Sequence, residues 1–250
     1  MTPINILIRD MKPPRMPWGD FPDVLIQASE SRVKQHAAYP AAKTGDADAA
    51  FQLVTDVFNA EQLDYLRNAF DAACPILVSA HAYEREGVNA IPEVFADVLG
   101  VFSYWQVDSG VIQTNVVAHT GADGFSRLAR QAEFDGPISA DANYVMVDDF
   151  VGMGGTLANL RGYIASKGGR VLAAIALTGK PHSATLRLSQ ERLNELRSKH
   201  GAELERWWQE RFGHAFDALT ESEARYLVRT ADVATIRDRI VAAEQAGNRA

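Results

Sequence analysis

Tyr144-Val145-Met146-Val147-Asp148-Asp149-Phe150-Val151-Gly152-Met153-Gly154-Gly155-Thr156-Leu157 begins as an apolar run, ends in two carboxylates and then turns through glycines. The apolar run predicts a buried strand, and Leu157, Leu160 and Ile164 beyond the glycines share one helical face. Gly168-Gly169 then supplies the helix stop. Glycines at 152, 154 and 155 let the backbone approach a ligand closely, so successive amides and the helix N-terminus can cradle a phosphate without a lysine. Two adjacent carboxylates repel bare phosphate but suit sugar hydroxyls or a hydrated Mg²⁺. Together the two halves ask for a sugar phosphate. A Walker loop is excluded because Gly155-Thr156 has no lysine, and a dinucleotide fingerprint fails because its third small position is Leu157.

Outward from this stretch, Ile76-Leu77-Val78, a helix near Ile91 to Leu99, a strand over Val101 to Val107, and Val171 to Leu177 continue the alternation. Buried strands alternating with helices predict a parallel α/β sheet. The long connection from Ser109 to Asn143 reads as a loop with a short helix inside. Upstream, a strand at Ile4 to Ile8 runs into Pro13, Pro14, Pro17 and Pro22, where regular structure stops, and helices follow around Leu53 and Leu66. Downstream of Pro181 the pattern is helical, with Thr220 and Glu223 forming a capping box. The expected division is an N-terminal cap or hood over 1–70, an α/β core over 71–181 and a C-terminal helical extension over 182–250.

The Val147-Asp148-Asp149 to Gly155-Thr156 segment resembles the phosphoribosyl-pyrophosphate motif of type I phosphoribosyltransferases, and the order of strands resembles that family over about residues 75 to 180. The resemblance implies transfer of phosphoribose from phosphoribosyl pyrophosphate to a nitrogen nucleophile, a nucleobase-like acceptor, with release of pyrophosphate. It implies that Asp148 and Asp149 bind the ribose hydroxyls directly or through Mg²⁺, and that Gly152, Met153, Gly154, Gly155 and Thr156 hold the 5-phosphate. By place in the strand order it assigns the pyrophosphate loop to Ser79, Ala80 and His81, with Arg85 as charge partner. The stretch holding His119-Thr120-Gly121 resembles the family's flexible loop, and Arg127 and Arg130 at i, i+3 are its catalytic candidates. Gly152 and Met153 replace a hydroxyl or acid and a threonine common in the family, and the pyrophosphate loop has no lysine. These departures favour an alternative, a non-catalytic module that senses a nucleotide or phosphoribosyl pyrophosphate and acts on a protein partner through its helices.

Composition restricts the remaining classes. With 25 basic against 32 acidic residues the formal charge is -7, so no broad cationic surface coats nucleic acid. Cys74 is alone, which excludes a disulfide framework and a cysteine zinc site. The histidines show no paired metal spacing, and no Gly-x-Ser-x-Gly elbow occurs. No run approaches the ~20 apolar residues of a membrane span, and Ile4 to Ile8 is too short for a signal-peptide core, so a cytoplasmic protein is expected. Trp207-Trp208 is expected to anchor the helical tail or a homodimer interface, and Tyr104-Trp105 to sit on a core strand. The acidic excess lies wholly in residues 1–186, which hold 14 basic and 21 acidic side chains. An anionic substrate therefore has to be held by local devices, and strong dependence on Mg²⁺ is expected.

Overall fold

A computed structural model describes residues 15–82, 88–115 and 123–247. In chain order the elements are β1 (Leu25–Ala28), α1 (Glu30–Lys34), α2 (Tyr39–Lys43), α3 (Ala47–Val57), α4 (Ala60–Phe70), β2 (Ile76–Ser79), α5 (Ile91–Ser103), β3 (Gln106–Asp108) and β4 (Ile112–Gln113). There follow α6 (Gly124–Ala129), β5 (Phe134–Asp135), β6 (Asn143–Val151), α7 (Gly155–Ser166), β7 (Arg170–Gly179), α8 (Gln190–Phe212), α9 (Glu221–Arg229) and α10 (Val233–Gly247).

The chain is an α/β protein whose central sheet runs β1-β7-β6-β2-β3 with every pairing parallel. Burial on both faces explains the apolar run of residues 144–147 in β6: Val145 and Val147 face one core and Tyr144 and Met146 the other. Helices α3, α4 and α5 cover the first face, where Leu53, Leu66, Phe95 and Leu99 meet the sheet. On the second face α7 delivers Leu157, Leu160 and Ile164, as the spacing predicts. Gly168, at φ +89°, turns the chain out of α7.

The segment 1–70 does more than cap this core, because its Leu25–Ala28 is the edge strand beside β7. Before that strand, residues 15–24 have no helix or strand, in keeping with Pro17 and Pro22. Trp18 and Phe21 join the second core, and the Arg161 guanidinium lies 4.9 Å from the Trp18 ring. The predicted strand over Val101 to Val107 is corrected. The apolar positions Ile91, Phe95, Val98 and Leu99 carry α5 on to Ser103, and only Gln106–Asp108 is extended. Tyr104 ends that helix at φ +63° and is 87% exposed, so it does not belong to a core strand. Trp105 is buried beside it and donates to Asp71 Oδ1 at 2.7 Å.

The expected loop between 109 and 143 holds α6 and the small antiparallel pair β4-β5. Ile4 to Ile8, Arg85 and His119 to Gly121 lie outside the described residues.

The tail is helical, with its own core around Leu196, Leu204, Trp208, Phe216, Leu227 and Ile240. α8 breaks at Gly201 (φ +74°, ψ 169°), which separates the two helices read from Leu193/Leu196 and Leu204 onward. Trp208 is fully buried in this core and so anchors the tail. Among the described residues, no helix is long and apolar enough to cross a membrane.

Candidate functional site

Asp148 and Asp149 stand near the C-terminal end of β6, which runs on to Val151, and the chain then turns at Gly154 (φ +81°) into α7. A Cβ at Gly154 would lie 2.3 Å from Leu186 Cδ2, so both conformation and space require glycine. A cavity of about 590 Å³ opens at this strand end. Asp148, Asp149 and every residue from Gly152 to Thr156 line it. Ala80 and His81 line it from just beyond β2, and Arg127 and Arg130 from α6 and its end. The structure therefore brings together candidates that stand up to 76 positions apart, from Ala80 to Thr156. Ser79 is fully buried and is not part of the lining; its hydroxyl lies 2.7 Å from His81 Nδ1 and fixes that ring.

The two carboxylates differ in environment. Asp148 is buried, and burial, reinforced by the charge of Asp149, pushes its pKa well above the usual carboxylate range. Its Oδ1 accepts the Asp149 backbone N–H at 2.8 Å. Asp149 is held by Lys43, whose Nζ donates to Oδ2 at 2.8 Å. For Lys43 burial pulls the pKa down, but the charge and hydrogen bond of Asp149 outweigh it and the net displacement is upward.

Behind the glycine loop, the N-terminal and C-terminal segments meet. Arg15 donates from Nε to Asn159 Oδ1 and from Nη1 to Glu223 Oε2, both at 2.6 Å. Thr220 Oγ1 donates to the Met153 carbonyl at 2.5 Å, and Glu223 Oε2 accepts the Thr220 N–H at 3.0 Å. The expected capping box of α9 is present, and it stands directly against the loop. Asn159 is 9% exposed, lines the cavity and has a side-chain Nδ2 with no partner among the described residues.

Arg15, Lys34, Lys43, Asn159 and Glu223 also line the cavity, although sequence motifs did not single them out for the site. Only Glu223 left a signal, through its spacing from Thr220. The lysines and Arg15 reach the site from segments that carry no motif.

As a metal site the donor set is two hard carboxylates on adjacent residues. Among the described residues no group of three or more His, Cys, Asp or Glu side chains could hold an ion. That set fits a hydrated Mg²⁺ carried in with substrate phosphates, not a cation caged by protein alone. Lys43 already supplies positive charge to Asp149.

No protein-family model matches the chain. Protein TraN of Escherichia coli is 38% identical over 229 residues, covering 92% of this chain and 51% of that protein. An uncharacterized protein of Haemophilus influenzae is 36% identical over 151 residues, covering 60% of this chain and 34% of that protein. The chain thus spans about half the length or less of these curated relatives. Among solved structures, adenine phosphoribosyltransferase of Saccharomyces cerevisiae is 16% identical with a TM-score of 0.35, covering 60% of this chain and 73% of that one. That of Leishmania donovani is 15% identical with a TM-score of 0.34, covering 76% and 84% respectively.

Proposed function

We propose that this chain is a phosphoribosyltransferase, moving phosphoribose from phosphoribosyl pyrophosphate to a nitrogen nucleophile of nucleobase type. The observation that carries the proposal is the joint lining of one cavity by Asp148, Asp149 and the whole Gly152–Thr156 loop at the start of α7. In this mechanism the loop amides and the helix N-terminus take the 5-phosphate, and the Thr156 hydroxyl adds a donor. Asp148 and Asp149 take the ribose 2- and 3-hydroxyls, which fixes the ring and aims its anomeric carbon. Ala80 and His81 flank the leaving pyrophosphate, with Arg127 and Arg130 giving it positive charge. The bond from the anomeric carbon to pyrophosphate oxygen breaks, the bond to the base nitrogen forms, and the base gives up its N–H proton to the departing pyrophosphate. Mg²⁺, held by Asp148 and Asp149 with the substrate, would supply charge neutralisation of the diphosphate.

The test is pyrophosphate release with Mg²⁺ present, screened against purines, pyrimidines and orotate. Steady turnover with one base, abolished in Asp149→Asn with the fold intact by circular dichroism, is the expected result. Full activity in Asp149→Asn would overturn the assignment.

A second reading, a sensory module, is favoured by the direct grip of the helical extension on the loop through Thr220, Leu186 and Glu223. Tight calorimetric binding of phosphoribosyl pyrophosphate without turnover of any base would select it. A cytoplasmic, homodimeric protein is the expected form in either case, to be checked by fractionation and light scattering.

A further inference from the structure

We infer that the far side of the glycine loop carries a second binding site, for a phosphate-class anion of charge two or more. A cavity of about 290 Å³ lies there, bounded by Phe150, Gly152 and Met153 on the loop side and by the exit of β7 and the face of α9 on the other. Five cationic side chains line it, Lys34, Arg127, Lys180, Arg225 and Arg229, against the one carboxylate of Glu30. Glu30 is already engaged, since Lys34 Nζ donates to it at 2.5 Å and holds its carboxyl below the usual range.

Lys180, Arg225 and Arg229 have no carboxylate within salt-bridge distance among the described residues, and Arg225 Nη2 donates only to the Ser222 hydroxyl at 3.0 Å. This is unexpected in a chain whose acids outnumber its bases by seven. Like charges gathered in a recess repel one another, and an anion that bridges them removes that repulsion.

The arrangement is held from behind. Arg225 and Arg229 stand at i, i+4 on one face of α9, while Ala224, Leu227 and Val228 are buried on the other. The Tyr226 ring between them packs edge-on against Phe125 at 5.0 Å and fills the space over Gly124. Two guanidinium forks on one helix face, with an ammonium opposite, match phosphate oxygens bidentately. A single monocarboxylate would leave most of the positive charge uncompensated, which is why the ligand is a phosphate or diphosphate group.

The recess shares Lys34, Arg127, Phe150, Gly152 and Met153 with the larger cavity. The phosphate can therefore arrive free or as the outer phosphate of a 5-diphosphate ester whose sugar sits by Asp148 and Asp149.

The experiment titrates inorganic phosphate, inorganic pyrophosphate and a nucleoside 5′-diphosphate into the full chain by calorimetry, with chelator present. The same titrations are run on Arg225→Ala/Arg229→Ala and on Asp149→Asn. Both arginines lie outside the hydrophobic core, and thermal unfolding checks that the double variant folds. The expected result is a loss of roughly tenfold or more in affinity for the anion in the arginine variant, with inorganic phosphate binding retained in Asp149→Asn, whose carboxylate does not line the second cavity. Loss seen with the inorganic ions identifies free phosphate as the source. Loss confined to the diphosphate ester identifies the linked phosphate. Equal affinity in wild type and arginine variant, loss in Asp149→Asn alone, or no binding of any of the three probes would overturn the second site. Each of these leaves the transferase assay above to decide the main cavity independently.

Discussion

Replacing Glu223 by alanine should be the most damaging single change outside the hydrophobic core. Its carboxylate and the Arg15 guanidinium form a pair with side chains only 2% and 3% exposed, so neither finds water when the other is removed. Breaking such a pair from one side costs about 3–5 kcal/mol, because an uncompensated charge stays buried. For a chain of this size each kcal/mol lowers Tm by roughly 2–4 °C, so Glu223→Ala should melt about 10 °C below wild type. Part of the loss is local, since Glu223 also accepts the Thr220 N–H in the α9 cap. Glu223→Gln keeps that acceptor and removes the charge, and it should retain the cap share of about 1 kcal/mol. Combining Arg15→Met with Glu223→Leu should recover most of the stability by leaving no orphaned charge. The assay is urea and thermal unfolding of wild type, Arg15→Met, Glu223→Leu and their double variant, read as a double-mutant cycle, with Glu223→Ala and Glu223→Gln measured beside them. A loss under about 1 kcal/mol in Glu223→Ala, or strict additivity in the double variant, would refute the claim that this buried pair ties the N-terminal segment to the tail.

Acid stability should report on His214, which is buried with Nδ1 bonded to the Ala215 carbonyl and whose pKa burial, aided by Arg15, pushes down from near 6.5 to about 3. The folded state then binds fewer protons than the unfolded chain between those values. Stability present above pH 6.5 is lost as pH falls, by up to about 1.4 kcal/mol per unit, and His214→Phe should flatten that slope in unfolding titrations. Gly154→Ala should destabilise by at least about 1–2 kcal/mol from the left-handed backbone alone, with the Leu186 contact added, and should weaken ribose 5-phosphate binding in calorimetry. Lys43→Met should tighten Mg²⁺ binding by removing the cation that faces Asp149; an unchanged calorimetric affinity would show that the two cations do not compete.

The parts of the fold that were legible in the sequence are those whose cause is local. β6, the glycine turn and α7 each declare themselves, through the continuous apolar run of residues 144–147, the glycines at 152, 154 and 155, and the Leu157/Leu160/Ile164 face. The extension of α5 was not legible, because Val101 and Phe102 are apolar yet lie on the exposed side of a helix whose other face binds it to the sheet. Nor was β1, a four-residue strand whose partners on β7 lie 150 positions away. The site divides the same way. Asp148, Asp149 and the loop are contiguous and carry a motif, whereas Lys43 finds Asp149 across 106 residues and Arg15 finds Glu223 across 208. Nothing in the spacing of isolated lysines and arginines encodes such pairings; only the closed sheet and docked tail create them.

Those distant partners bear on the conflict between an acidic chain and the anionic substrate proposed for it. At separations beyond a Debye length of about 10 Å the protein acts through its net charge, which opposes an approaching phosphate. Inside that distance the balance reverses: Arg15, Lys34, Lys43, Arg127 and Arg130 line the cavity against Asp148, Asp149 and Glu223. Two of the three acids already hold a cation in the folded chain, Asp149 through Lys43 and Glu223 through Arg15. Burial disfavours the charged form of the third, Asp148, so the repulsion that the acidic pair would present to phosphate is largely removed before any ligand arrives. In the proposed mechanism the positive end of α7 and the loop amides then meet a 5-phosphate with little opposition. The N-terminal segment and the helical tail therefore supply charge to this cavity, although the acidic pair and the glycine loop lie wholly between them.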